Sequence, residues 1–195
     1  MGEIALLIQT RTTKATPEPS HSTLGEFALN VIETERLMLR HLSTNDAEFI
    51  LELLNDPAFL RFIGDKGVRT LDDARKYITS GPMEMYARLG FGLYLVERKD
   101  GGIPIGLCGL IKRDGLDDVD IGFAFLPVYR AKGYACEAAA ATMDYGKDVL
   151  GLQRIVAITS PDNEASGRLL EKLGLRFERM IRLREGGEEL RLFGS

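Results

Sequence analysis

The chain has little of what several kinds of chemistry need. Only two of its 195 residues are cysteine, Cys108 and Cys136, and only two are histidine, His21 and His41. The cysteines lie in apolar stretches with no CxxC spacing and no histidine-rich neighbour, so neither a disulfide framework nor a metal site is suggested, and a reducing compartment is expected. Two scattered histidines give little material for a Ser-His or Cys-His nucleophile pair. Long apolar runs are missing too. Ile4 to Ile8 is five residues long and follows Glu3 where a secretory signal would be basic, and no segment approaches the ~20 apolar residues of a membrane helix. Positive charge is in deficit: 25 Lys and Arg stand against 29 Asp and Glu, a formal net charge of -4. That sign disfavours direct nucleic-acid contact or a membrane surface, and a cytoplasmic protein is expected. The phosphate signatures GxxxxGK followed by Ser or Thr, and GxGxxG after a strand, are both absent.

What is present fits one globular domain, 45% hydrophobic and 28% charged. Thr10 to Thr23 mixes Thr and Ser with Pro17 and Pro19 without period, so residues 1–30 read as an extension and 31–195 as the domain. Glu35 to Leu42 alternates at period two, a strand with Leu37, Leu39 and His41 on one face. Ser43 to Asp46 and Thr70 to Asp73 each carry a helix-start signal, the first helix running to Pro57 and the second kinking at Gly81-Pro82 before it ends near Leu89. Phe91 to Glu97, Ile103 to Ile111 and Val119 to Leu126 then form a three-strand meander, with turn signals at Lys99 to Gly102 and Asp114-Gly115. A helix over Gly133 to Leu150, a strand over Arg154 to Thr159, a helix over Asn163 to Leu173 closed by Gly174, and a hairpin around Gly186-Gly187 complete the order. This is a mixed α/β sheet.

Chemistry concentrates where the third meander strand feeds the Ala-rich helix. Arg130-Ala-Lys-Gly-Tyr-Ala135 puts a glycine and small residues at a helix entrance, where free N–H groups and the positive dipole end favour an anion such as a diphosphate. The same residues also permit tight helix-on-sheet packing, and composition does not separate the two.

Asp120-Ile-Gly-Phe-Ala-Phe-Leu-Pro-Val-Tyr-Arg-Ala-Lys-Gly-Tyr-Ala-Cys-Glu-Ala138 resembles the signature of the GNAT superfamily of acyl-CoA transferases, with Arg130, Gly133 and Ala135 on its R/Q-x-x-G-x-G/A pattern. Asp162-Asn-Glu-Ala-Ser-Gly-Arg-Leu-Leu-Glu-Lys-Leu-Gly-Leu175 is similar to a second block of that family, and Glu33 to Arg40 to its opening. The resemblance covers roughly residues 33 to 193 and is closest to the branch containing the ribosomal-protein N-terminal (alanine/serine) acetyltransferases. It implies an α/β (α+β) fold with a mixed, mostly antiparallel central sheet of about six to seven strands flanked by helices.

It also implies an N-acetyltransferase using acetyl-CoA as co-substrate, without a metal. The backbone of Phe123, Ala124 and Phe125 would pair with the pantetheine arm, and Arg130, Ala131, Lys132, Gly133, Tyr134, Ala135 and Cys136 would surround the pyrophosphate. Asn163 and Ser166 would face the thiol end. Period two agrees in one respect, since Asp120, Gly122 and Ala124 share a face with room for a thin ligand. Other readings stay open: Asn163 as a plain helix N-cap, Ser166 as an exposed helix residue, Cys136 as a small buried hydrophobe, and Asp120 as a solvated strand residue.

Two departures bear on mechanism. Many members place a Tyr seven residues after the second block's Asn, and here that position is Leu170; Asp120 stands where the branch commonly has Glu. Asp120 as the base, direct or through a water, and Ser166 as donor to the leaving thiolate are the remaining catalytic candidates. The acceptor would be a primary amine, either a protein N-terminus or a small molecule, with no direct nucleic acid and no membrane; a homodimer is open. Asp114, Asp117, Asp118 and Asp120 would favour a cationic acceptor or form only a solvated turn. A non-catalytic acyl-CoA-binding sensor or scaffold is the alternative function.

Overall fold

The computed structural model describes residues 29–195. The extension expected over residues 1–30 therefore lies almost wholly outside the described residues. Its boundary falls inside the first strand, because Asn30 already pairs with Arg40.

Eight strands form a single sheet in the order β1-β2-β3-β4-β5-β6-β8-β7. They are β1 (Asn30–Glu33), β2 (Leu37–Arg40), β3 (Leu93–Arg98), β4 (Ile103–Ile111), β5 (Val119–Phe125), β6 (Ile155–Thr159), β7 (Arg176–Ile181) and β8 (Leu190–Gly194). All neighbours run antiparallel except β5 and β6, which are parallel. The count exceeds the expected six to seven because β1, Asn-Val-Ile-Glu, sets two apolar residues side by side and shows no alternation. The meander and the final hairpin stand where the alternation and the turn glycines put them, but β8 inserts between β6 and β7.

The helices cover both faces. α1 (Ala47–Leu54), α2 (Pro57–Phe62), α3 (Leu71–Ile78) and α4 (Glu84–Leu89) lie between β2 and β3, while α5 (Tyr134–Asp148) and α6 (Glu164–Lys172) flank β6. The Thr70 hydroxyl accepts from the Asp73 N–H, and the Asp73 carboxylate accepts from the Thr70 N–H, a reciprocal cap that fixes the start of α3. Pro82 lies in a π-helical turn, Thr79–Met83, that joins α3 to α4, so the expected break is a bulge rather than a stop. α2 was missed in the sequence: six residues are too few for a helical period, and its start is set by Asp56, whose carboxylate accepts from Ala58 and Phe59 N–H ahead of Pro57.

Two apolar clusters hold the layers. One joins α5 to the sheet through Leu37, Leu39, Tyr94, Cys108, Leu110 and Ala139; the other joins α1 to α3 through Ile50, Leu54, Ala74, Ile78, Leu95 and Leu107. Arg40 ties the second layer to the sheet edge, donating to Asp46 at 2.8 and 2.9 Å and to Glu97 at 2.7 and 2.9 Å.

Candidate active site: a forked sheet

β5 and β6 pair at only two positions, Val119 with Ile155 and Asp120 with Val156. Beyond Asp120 they part. β5 stays on β4 as far as Phe125 opposite Gly106, and β6 stays on β8 as far as Thr159 opposite Arg191. Backbone groups that face into the fork have no ladder partner there, and those that no side chain meets must be met by water or a ligand. The gap opens into a cleft of about 1030 Å³ lined by Gly122 to Phe125 on one arm and Ala157 to Thr159 on the other. At about 3.3 Å per residue, the five steps from Asp120 to Phe125 make the fork about 17 Å long.

At the wide end the chain turns into α5. Ala131 has φ 57° and Gly133 φ 83°, both left-handed, and α5 begins at Tyr134 with no side chain capping its first N–H groups. A non-glycine residue there costs roughly 1–2 kcal/mol, and the result is a concave turn of backbone donors at a helix N-terminus. A Cβ at Gly133 would come within 3.2 Å of Arg36 Nη2, a tight contact that a small shift of the guanidinium could relieve, so it is the φ of 83° that calls for glycine.

Arg36 was not singled out in the sequence. Its Nη1 donates to the Lys132 carbonyl at 3.2 Å, its guanidinium lies over Tyr134 at 4.5 Å, and its Nε donates to Glu137 at 2.6 Å. Glu137 also accepts from Thr34 Oγ1 at 2.6 Å and from the Arg36 N–H at 2.9 Å. These contacts lower the Glu137 pKa even though burial opposes them. Arg130, expected beside the phosphates, lines the cleft, donates to the Phe125 carbonyl at 2.8 Å and pairs with the buried Asp56. It locks the cap of α2 to the end of β5, and of the two sequence-picked cations only Lys132 keeps its charge away from a carboxylate, with its ammonium 5.8 Å from the Tyr129 ring.

At the narrow end stands Asp120, 1% exposed and so not a solvated strand residue. Its Oδ1 accepts from the Ile158 N–H at 3.2 Å, replacing the strand pairing that stops there, and its Oδ2 accepts from Arg113 Nε at 2.5 Å. Burial raises its pKa to about 6 although Arg113 and the Ile158 N–H pull the other way. A carboxylate titrating near 6 is ionised at neutral pH and still basic enough to take a proton.

Asn163, Ser166 and Cys136 line the same cleft, as do Ala131, Gly133 and Ala135, whereas the Lys132 and Tyr134 side chains stand outside its lining. Asn163 caps α6, its Oδ1 accepting from the Ser166 N–H at 3.1 Å, and both residues line the cleft with Ser166 half-buried. Leu170 is buried below them. Cys136 is a half-buried free thiol on the cleft wall, and Cys108 is fully buried, burial pushing its thiol up to about 12. Among the described residues no group of His, Cys, Asp and Glu could hold a metal, and no helix is long and apolar enough to cross a membrane. Of the acidic run, Asp118 pairs with Arg154 at 2.9 Å and Asp120 with Arg113, so these two carboxylates are already matched by cations of the chain.

A mixed sheet forked at its one parallel pair, with an uncapped helix N-terminus at the open end, is the architecture of an acyltransferase of the GNAT class. Residues 36–176 match a family model described as acetyltransferase (GNAT) domain, and the chain belongs to that family. It is 32% identical over 147 residues to the uncharacterized N-acetyltransferase YnaD of Bacillus subtilis, covering 75% of this chain and 83% of that protein. YoaA of the same organism, also an uncharacterized N-acetyltransferase, is 31% identical over 153 residues, covering 78% and 86%. Among solved structures, a GNAT-family acetyltransferase from Bacillus anthracis superposes with a TM-score of 0.70 at 31% identity, covering 84% of this chain and 96% of that one. RimL, a ribosomal alpha-N-protein acetyltransferase in complex with coenzyme A, shares the fold at a TM-score of 0.71 and 16% identity, over 83% and 94%.

Proposed function

We propose that the chain moves the acetyl group of acetyl-CoA to a primary amine by direct attack, with the cofactor lying along the fork. One observation carries this reading: the fork has an anion seat of backbone N–H groups at its wide end and a buried, ionisable carboxylate about 17 Å away at its narrow end. The seat fits a diphosphate, since the Gly133 surface is bare and the donors of Lys132 to Cys136 have no side-chain cap. The unpaired edge of Phe123 to Phe125 suits an amide-bearing arm running between the two ends.

When bound, acetyl-CoA supplies an acetyl group activated as a thioester. The chain's residues position the amine and handle protons. Asp120, held by Arg113 and the Ile158 N–H, accepts a proton from the amine directly or through one water. Arg113, bonded to Asp120, adds positive charge beside the base, which lowers the pKa of a bound ammonium and favours the neutral nucleophile. Ser166, half-buried on the first turn of α6, stands where Leu170 leaves no tyrosine, and its hydroxyl or a water it holds gives the departing thiolate its proton.

Two measurements test the reading. Calorimetry should show acetyl-CoA binding, and a thiol-release assay over a panel of amines should show turnover that disappears without an amine. Tight binding with no turnover for any amine would favour a non-catalytic acyl-CoA sensor, for which the engagement of Asp120 by two donors is the supporting feature.

A further inference from the structure

The cleft does not stop at Asp120. Past the fork it continues under the α1 to α4 layer, where its walls are Phe59, Phe62, Ile63, Tyr77 and Met85, an almost wholly apolar and aromatic surface. Two side chains break that surface, and both are cations: Lys66, in the loop after α2, and Arg113, just after β4.

Arg113 reaches back over β5, with Nη2 3.9 Å from where a Cβ on Gly122 would sit. Its Nε is taken by Asp120, and the guanidinium is about one-third exposed. Lys66 is not matched by a carboxylate. Among the described residues its one hydrogen-bond partner is the Ile63 carbonyl, at a long 3.5 Å. Lys66 is an exposed residue, and its pKa is lowered by desolvation against the cleft wall and secondly by the charge of Arg113, so the two cations feel each other. The neighbouring acids are spent elsewhere: Asp56 on Arg130, Asp65 on Arg69 and Asp162 on Arg61. With Arg113 and Asp120 counted as a pair, the acceptor half of the cleft holds one uncompensated positive charge. In a chain of net charge -4 this is not a general property of the surface.

Neither cation can serve the diphosphate. Arg113 is bonded to Asp120, and the α5 turn lies at the opposite end of the fork, about 17 Å along β5.

We infer that the acceptor is a primary amine bearing an anionic group close to its nitrogen on an apolar or aromatic body, the anion being held by Lys66 and the free face of Arg113. The chemistry is that of a free amino acid or a related amino carboxylate. A peptide N-terminus reproduces it only with an acidic side chain next to the amine. The walls from Phe59 to Met85 accommodate the body, and the amine projects toward Asp120. This rests on the acetyl-transfer reading above.

The test is a charge series on the parent enzyme. Four acceptors share one aromatic body: phenylalanine, its amide, phenethylamine, and a peptide beginning Phe-Asp. Calorimetry with acetyl-CoA is run first. Failure to bind it would overturn the acetyl-transfer reading and this inference together. With acetyl-CoA bound, kcat/KM for the free carboxylate should exceed that of the amide and of phenethylamine by about tenfold or more. Lys66→Met keeps the length of the stem and removes the charge. It should erase most of that preference by raising KM for the carboxylate, and Lys66→Arg should restore it. A preference shared by the Phe-Asp peptide would make a protein N-terminus the source of the anion, whereas its absence would make the acceptor a small molecule. Equal or better use of the two neutral amines, or a loss in Lys66→Met that is the same for all acceptors, would overturn the inference and leave acetyl transfer standing.

Discussion

The two ends of the fork are built from different materials. The wide end is backbone: a left-handed turn at Ala131 and Gly133, then the bare N–H groups that open α5. The narrow end and the acceptor half beyond it are side chains brought from distant segments, Asp120 from β5, Arg113 from the loop after β4, and Lys66 from the loop after α2. A backbone seat has a local sequence cause, because glycine and small residues at a helix entrance suffice to make it. A side-chain constellation depends on which loops the tertiary fold sets beside each other.

The largest expected effect is at the narrow end. Asp120→Asn should lower turnover by about 10² to 10⁴, the range for a removed general base, while acetyl-CoA affinity is retained. In the parent, kcat/KM should rise with pH through about 6 as Asp120 ionises, and the variant should lack that limb. Stability carries the opposite sign. A carboxyl whose folded pKa is raised favours the folded state in its protonated form, so its contribution is full below the ordinary carboxylate pKa of about 4 and fades as pH rises through about 6. Thermal melts of the Asn variant should lose that slope. If the variant turns over normally, Asp120 only closes the fork over the Ile158 N–H.

At the wide end, Gly133→Asp should weaken acetyl-CoA binding by about a hundredfold or more in calorimetry, since the new residue would be strained at φ 83°, crowd Arg36 and put a carboxylate in the anion seat. Unchanged affinity would end the contrast between the two ends. A finer cut is Glu137→Ala, which releases Thr34 and Arg36 from α5 without touching the seat itself. About a tenfold loss of affinity with kcat preserved would show that the backbone seat borrows rigidity from a contact 101 residues away. Ser166→Ala should lower kcat several-fold with little change in binding, because the Asn163 cap accepts from the backbone of residue 166 and survives the substitution. The smallest effect is expected from removing residues 1–28. A chain starting at Leu29 retains the His41 N–H bond to the Leu29 carbonyl and all of β1, and its kcat/KM should stay within about twofold of the parent.

Elements with a strong local period were legible and the short ones were not. The meander from Leu93 to Phe125, the Ala-rich α5 and the Asn163-capped α6 lie where alternation, helical spacing and caps put them. β1 and α2, four and six residues long, escaped because β1 puts two apolar residues, Val31 and Ile32, side by side instead of alternating and α2 spans fewer than two helical turns. Arg130 shows the limit within a motif. Its position in the family pattern was readable, but its engagement with Asp56 and the Phe125 carbonyl required α2, which was not.

By itself, then, the sequence determined the α/β class and the family, and it marked the glycine-led turn at α5, Asp120 and Ser166 as the candidates on which the proposed function rests, because each is written in residues whose backbone or spacing acts locally. Only the tertiary structure decided that β5 and β6 part after Asp120, that Arg36 grips Glu137, that Asp118 and Asp120 are matched by Arg154 and Arg113, and that Lys66 lines the same cleft. Charge interactions fall off over a few ångströms, and that scale is set by which segments the fold packs together rather than by their separation along the chain.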